Sequence, residues 1–210
     1  ANALPTETDR HASVVFKNKM WIFGGAQGST GASNAVYVSD NGTSWSNFGT
    51  LPVGIARAEA VVLGDNIVIL GGTLEDGSIS NAVYKSINGI SWSEVGSNAL
   101  AGKNFSNRTA AVFGDAIWIV GNNQNDNPTT FLSRDGGATW TSGPTPHGNV
   151  FNGTDLVALG DTLWLIGGYD NTSPSRADTV QLIGTTPRGS CNPNPFEPTY
   201  FCSEDGGTGG

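Results

Sequence analysis

A β-propeller of four four-stranded blades is the fold this sequence predicts, on the strength of two features that recur together. Trp45, Trp92 and Trp140 stand 47 and 48 residues apart. Each closes a similar turn: Asp40-Asn-Gly-Thr-Ser-Trp45, Ile87-Asn-Gly-Ile-Ser-Trp92 and Asp135-Gly-Gly-Ala-Thr-Trp140. At the same period Gly24-Gly25, Gly71-Gly72, Gly121-Asn122 and Gly167-Gly168 each end an apolar run. Short apolar runs bounded by Gly, Asn and Asp are strands and turns, so the class is all-β.

The first unit covers residues 10–55. His11 to Phe16 reads as its first strand, with Asn18-Lys19 as the turn into a buried strand, Met20 to Phe23, that Gly24-Gly25 stops. A polar loop leads to a third strand, Ala35 to Val38, and the turn at Asp40 to Gly42 folds back into Ser44 to Phe48. The second unit, residues 56–105, repeats this with Ala60 to Leu63, Ile67 to Leu70, Asn81 to Tyr84 and Trp92. The third, residues 106–150, has Ala110 to Phe113, Ile117 to Val120, Thr130 to Leu132 and Trp140. The fourth, residues 151–184, has Leu156 to Leu159, Leu163 to Ile166 and Thr179 to Ile183, and no Trp follows to mark an outer strand.

The blades are therefore expected to fill residues 1–184, with residues 1–9 completing the last one, because propellers close by letting a terminus pair with the final edge. Phe196 to Phe201 is the other candidate for that strand, and a larger ring containing these four blades is the other architecture. Residues 185–210 form an irregular tail that ends in a Gly-rich stretch of linker character. Within it Cys191 and Cys202 lie 11 apart, a spacing that suits a local disulfide and with it an oxidising, extracellular or cell-surface setting.

The chain has 210 residues, 30 of them glycine, and a net charge of −8, which argues against nucleic acid because phosphate binding needs a basic face. No apolar stretch approaches the length of a membrane-spanning helix.

An Arg ahead of the first strand (Arg10, Arg57, Arg108), a Gly doublet after the second, and ring pairs Tyr37 with Trp45 and Tyr84 with Trp92 resemble the kelch repeat of secreted bacterial proteins. The likeness runs over residues 10–183, with Phe131 and Trp140 in the third unit and both rings lost from the fourth. The turn also resembles the Asp-box of sialidases. Ser133, Asp135, Gly137, Thr139 and Trp140 match it, whereas the first unit keeps Asp40, Gly42, Ser44 and Trp45 but has Val38 in place of Ser. The second keeps Gly89 and Trp92 but has Ile87 in place of Asp. The resemblance implies structural turns at the blade periphery, away from any substrate. The chemistry agrees: Asp accepts hydrogen bonds from its own turn, Gly takes positive φ and Trp packs between sheets.

Candidate ligand-binding residues are the polar side chains that open each inner strand, where chains converge on the axis: Arg10, His11, Arg57, Glu59, Arg108 and Asp155. Facing one mouth, they form a mixed-charge funnel for carboxylates, sulfates or sugar hydroxyls; the competing role for the arginines is to tie neighbouring blades together. Trp21, Trp118 and Trp164 recur in the second strands and read as core, with sugar stacking as the alternative.

No catalytic constellation is complete. A sialidase needs an Arg triad with a Tyr–Glu pair, and a galactose-oxidase-like copper site needs paired His, where this chain has only His11 and His147. No metal or cofactor is expected, the one calcium candidate being the oxygen-rich loop Asn122–Asn127. The expected function is a non-catalytic extracellular module that binds a protein or glycan through the mouth loops. Self-assembly through blade edges or the tail is the second reading, which makes a homo-oligomer a possible form, and a glycan-active hydrolase using Glu59 and Asp155 is the third.

Overall fold

The computed structural model describes residues 4–28, 31–96, 98–103, 109–122, 128–146, 152–169 and 180–185, and every regular element in them is a β-strand. The first sheet comprises β1 (Ala12–Phe16), β2 (Lys19–Phe23), β3 (Ala35–Ser39) and β4 (Ser46–Thr50). The second comprises β5 (Glu59–Leu63), β6 (Asn66–Leu70), β7 (Val83–Ser86) and β8 (Ser93–Glu94). The third comprises β9 (Ala110–Phe113), β10 (Ala116–Asn122), β11 (Pro128–Ser133) and β12 (Thr141–Ser142). The fourth comprises β13 (Asn152–Leu159), β14 (Thr162–Tyr169) and β15 (Val180–Thr185). Each sheet is an antiparallel meander, and the innermost strands β1, β5, β9 and β13 pack against one another in succession. This is a four-bladed β-propeller.

The alternation of each strand divides its side chains between two neighbours. Ala12, Phe16, Trp21 and Phe23 of the first blade bury themselves with Ile67, Ile69 and Tyr84 of the second. Val61, Val68 and Leu70 do the same with Ile117, Ile119 and Phe131, and Phe113 and Val120 with Leu156, Leu163 and Leu165. Among the described residues no buried cluster joins the fourth blade to the first. Trp21 belongs to this core: its indole N–H donates to the Phe16 carbonyl at 3.0 Å, and its ring stacks on Phe23 and meets Phe48 edge-on. That excludes it as an exposed stacking platform.

The glycine doublets serve close approach. A Cβ on Gly24 would sit 2.2 Å from the carbonyl oxygen of Ile55, in the link to the next blade, and its φ is +61°. The third and fourth blades use the position differently, since β10 and β14 run on through Gly121-Asn122 and Gly167-Gly168.

The peripheral turns of the first two blades correct the alignment read from sequence. In the first blade Ser39 Oγ accepts from the Gly42 N–H at 2.8 Å, and Asn41 Oδ1 accepts from the N–H groups of Thr43 and Ser44. Asp40, the residue expected to organise this turn, instead faces outward and pairs with Lys19. The second blade uses Ser86 and Asn88 in the same way, and the third uses Ser133 and Asp135. The frame is Ser-x-Asn/Asp, one residue later than the Asp40/Ile87 alignment. Burial works to raise the Asp135 carboxyl, but hydrogen bonds from Thr139, Ser133 and Ala138 outweigh it and hold the group at about 2. The indoles of Trp45 and Trp140 donate to the carbonyls of Gly42 and Gly137, whereas the buried Trp92 Nε1 has no acceptor among the described residues.

Arg108, His147, Cys191, Cys202, residues 123–127 of the calcium-candidate loop and the whole tail from residue 186 lie outside the described residues. Residues 1–3 do as well, and Asp9, just beyond them, bridges Ala26 of the first blade.

Candidate functional site: the axial polar cluster

Register identifies the residues that share a level around the axis. The hairpins between first and second strands pair Phe16 with Lys19, Leu63 with Asn66, Phe113 with Ala116 and Leu159 with Thr162. Four residues back from each turn stand Ala12, Glu59, Thr109 and Asp155. The structure thus places Glu59 and Asp155 at equivalent positions of the second and fourth blades, with Thr109 between them in the third.

These three side chains interact. The buried Thr109 hydroxyl donates to Asp155 Oδ1 at 3.1 Å and accepts from the Leu156 N–H at 2.9 Å, which fixes its orientation. Glu59 is half-buried. Burial, and secondarily the negative charge of Asp155, push its carboxyl from 4.5 up to about 7. At neutral pH the cluster therefore pairs a carboxyl that still carries its proton much of the time with a carboxylate aligned by a threonine. Such a set can donate to one ligand hydroxyl and accept from another.

Arg10, His11 and Arg57, which lie close to this level in sequence, are all exposed. Arg10 and Arg57 adopt left-handed backbone conformations, φ 53° and 55°, and the Arg57 N–H donates to the Arg10 carbonyl at 2.8 Å. The tie between these two blades is made by main chain, which leaves the side chains to solvent. The Arg10 guanidinium lies 3.7 Å from the Asp9 carboxylate. Among the described residues no group of three or more His, Cys, Asp or Glu gathers as a metal site, and no helix is long and apolar enough to cross a membrane.

Thr109 escapes the sequence reading because the residues chosen at the openings of the inner strands are the charged side chains and histidine. Glu59 follows Arg57 by two residues and Thr109 follows Arg108 by one, so a single deletion hides the equivalence. Counting back from the hairpin turn exposes it.

Residues 63–181 match the family model described as the DUF6242 beta propeller domain. The chain belongs to the DUF6242 beta propeller family. No curated protein matches it. In this DUF6242 propeller the match begins at the end of β5 and reaches into β15, so Thr109 and Asp155 fall inside it and Glu59 just ahead.

Proposed function

We propose that this DUF6242 propeller is a non-catalytic extracellular binding module of kelch type, with Asp-box-like turns, that recognises a glycan or protein through the axial mouth. The observation that carries the reading is the convergence of Glu59, Thr109 and Asp155 at one level of the axis; Arg10, His11 and Arg57, close to that level in sequence, are exposed. A protonated carboxyl beside an ionised one complements sugar hydroxyls, which both donate and accept; the arginines add affinity for carboxylate or sulfate. Arg108 is assigned to the same mouth from its place in the repeat. The Ser-x-Asn/Asp turns hold the outer strands and take no part in binding. A disulfide between Cys191 and Cys202 and a secreted location belong to this reading, which requires neither calcium nor a cofactor.

The test is a glycan array with acidic and neutral saccharides, run on the wild type, Glu59→Ala and Asp155→Ala. Loss of a wild-type signal in both variants, with folding intact by circular dichroism, supports the mouth. Retained binding in both sinks it.

The second reading is a glycan-active hydrolase, favoured by one observation, the raised Glu59 carboxyl beside Asp155, which has the composition of an acid and base pair. Turnover of a chromogenic glycoside that disappears in Glu59→Gln would establish it over the binding module.

A further inference from the structure

The faces at the two ends of the row of blades are built like the faces inside it. Phe16, Leu63, Phe113 and Leu159 share one register position, and the first three pack toward the following blade. Leu159 is 71% exposed. Phe23, Leu70 and Val120 are buried at a second shared position where Ile166 is exposed. Their cross-strand partners Val36, Val83 and Thr130 are fully buried, whereas Val180, the partner of Ile166, is 53% exposed.

The first blade shows the opposite half of the same interface. Ile67, Ile117 and Leu163 occupy one position facing the preceding blade and are 0% exposed, but Met20, at that position in β2, is 44% exposed. Val62 and Val112 pack onto the preceding blade's cluster, and their counterpart Val15 is 69% exposed. Trp92 meets Phe23 of the preceding blade edge-on at 5.6 Å, while among the described residues Trp45 packs with Leu4 and its own sheet. A Cβ on Gly89 or Gly137 would strike Trp21 or Val83 of the preceding blade; one on Gly42 would meet only Met20 of its own.

We propose that the exposed face of the fourth blade and the exposed face of the first are two halves of one interface, and that a second copy of this chain fills it head to tail. The argument is continuity: an outward face of this register is covered three times within the chain, each time by an inward face of the next unit. Blade 1 carries such an inward face, open, at the same positions. Two copies joined at both seams count eight blades, within the range propellers occupy. The contact is heterologous, and twofold closure satisfies both faces of both copies.

Sedimentation velocity over a concentration series tests this on the full chain. The wild type is expected at twice the chain mass. Leu159→Asp and Val15→Asp each weaken association by roughly 30-fold or more, the scale of a hot-spot loss. Both positions are exposed within one copy, so circular dichroism stays unchanged. The decisive sample is the equimolar mixture: each variant alone is monomeric, but the intact Leu159 face of one fits the intact Val15 face of the other, and a heterodimer forms. A wild type of single mass throughout overturns the proposal and assigns the seam to blades of a longer chain. A variant that still pairs with itself, or a mixture that does not associate, overturns the head-to-tail geometry.

Discussion

Replacing Glu59 by Gln removes one pH-dependent contribution to stability. The folded carboxyl releases its proton at about 7, against 4.5 as its ordinary value. Between those pH values the folded chain binds more protons than the unfolded chain, so stability falls as pH rises. The favourable contribution is fully present below 4.5 and is lost as pH passes through about 7. A displacement of that size corresponds to about 3 kcal/mol, a ceiling because Glu59 is half-buried and water reaches part of it. Glutamine keeps the shape and the donor but cannot ionise. Urea unfolding at intervals from pH 4 to 9 gives the stability of wild type and Glu59→Gln at each pH. The wild-type value should fall relative to the variant by about 1–3 kcal/mol across that window and level off above pH 8 or so. The difference cancels carboxylates common to both chains. A difference that stays constant with pH refutes the placement of Glu59 in a desolvated site beside Asp155.

Three further outcomes follow from particular contacts. Thr109→Val removes the donor to Asp155 and strands the buried Leu156 N–H, and should cost about 1–3 kcal/mol in the same unfolding assay. Gly89→Ala places a methyl 2.3 Å from the Trp21 ring at φ +73°, whereas Gly136→Ala meets open space at φ +77°. Both carry left-handed strain of about 1 kcal/mol, and Gly89→Ala should cost about 2 kcal/mol more in thermal unfolding. Trp92→Phe deletes a buried N–H without an acceptor among the described residues and Trp140→Phe deletes one bonded to Gly137 at 3.0 Å, so Trp140→Phe should be the worse by about 1 kcal/mol.

The period of 47–48 residues made the propeller legible because each blade is a local meander whose strands follow one another in both sequence and space. Strand positions agree within about two residues in the first three blades for the same reason, while in the fourth β13 starts four residues earlier and β14 ends three residues later than the sequence suggests. In the first two blades the turn chemistry reads one residue early in the sequence, whereas Ser133 and Asp135 of the third stand where it places them. Asp40 is a better acceptor by type than Asn41, but the φ of +72° at Gly42 and the bond from its N–H to Ser39 make Asn41 the residue that can reach the following amides. The axial cluster was half legible: charge flagged Glu59 and Asp155, but a threonine in a β-rich repeat carries no signal by type. What no single-chain pattern revealed is the open seam, because Leu159 and Val15 read as ordinary strand residues. Only their exposure against that of Phe16, Leu63, Phe113, Val62 and Val112 sets them apart.

The seam and the axial cluster meet at Asp155. It lies four residues before Leu159 on β13, on the strand that ends the row of blades, and its side chain is exposed. Within the chain each member of that level is followed by the next: Ala12 by Glu59, Glu59 by Thr109, Thr109 by Asp155. Head-to-tail docking continues the series and sets Ala12 of the second copy after Asp155. A methyl group offers an ionised carboxylate neither hydrogen bond nor charge, so docking strips water from Asp155 with only Thr109 in compensation. Asp155→Asn removes that penalty while keeping an acceptor for the Thr109 hydroxyl. The variant should associate more tightly than wild type, by a factor of about 3–10. Sedimentation under matched buffer reads this directly. Unchanged or weaker association would mean that Asp155 keeps its water in the assembled state and that the mouth and the seam act independently. Tighter association would make the two sites reciprocal, since a ligand that neutralises Asp155 must then favour the assembled form by the same factor that assembly favours the ligand.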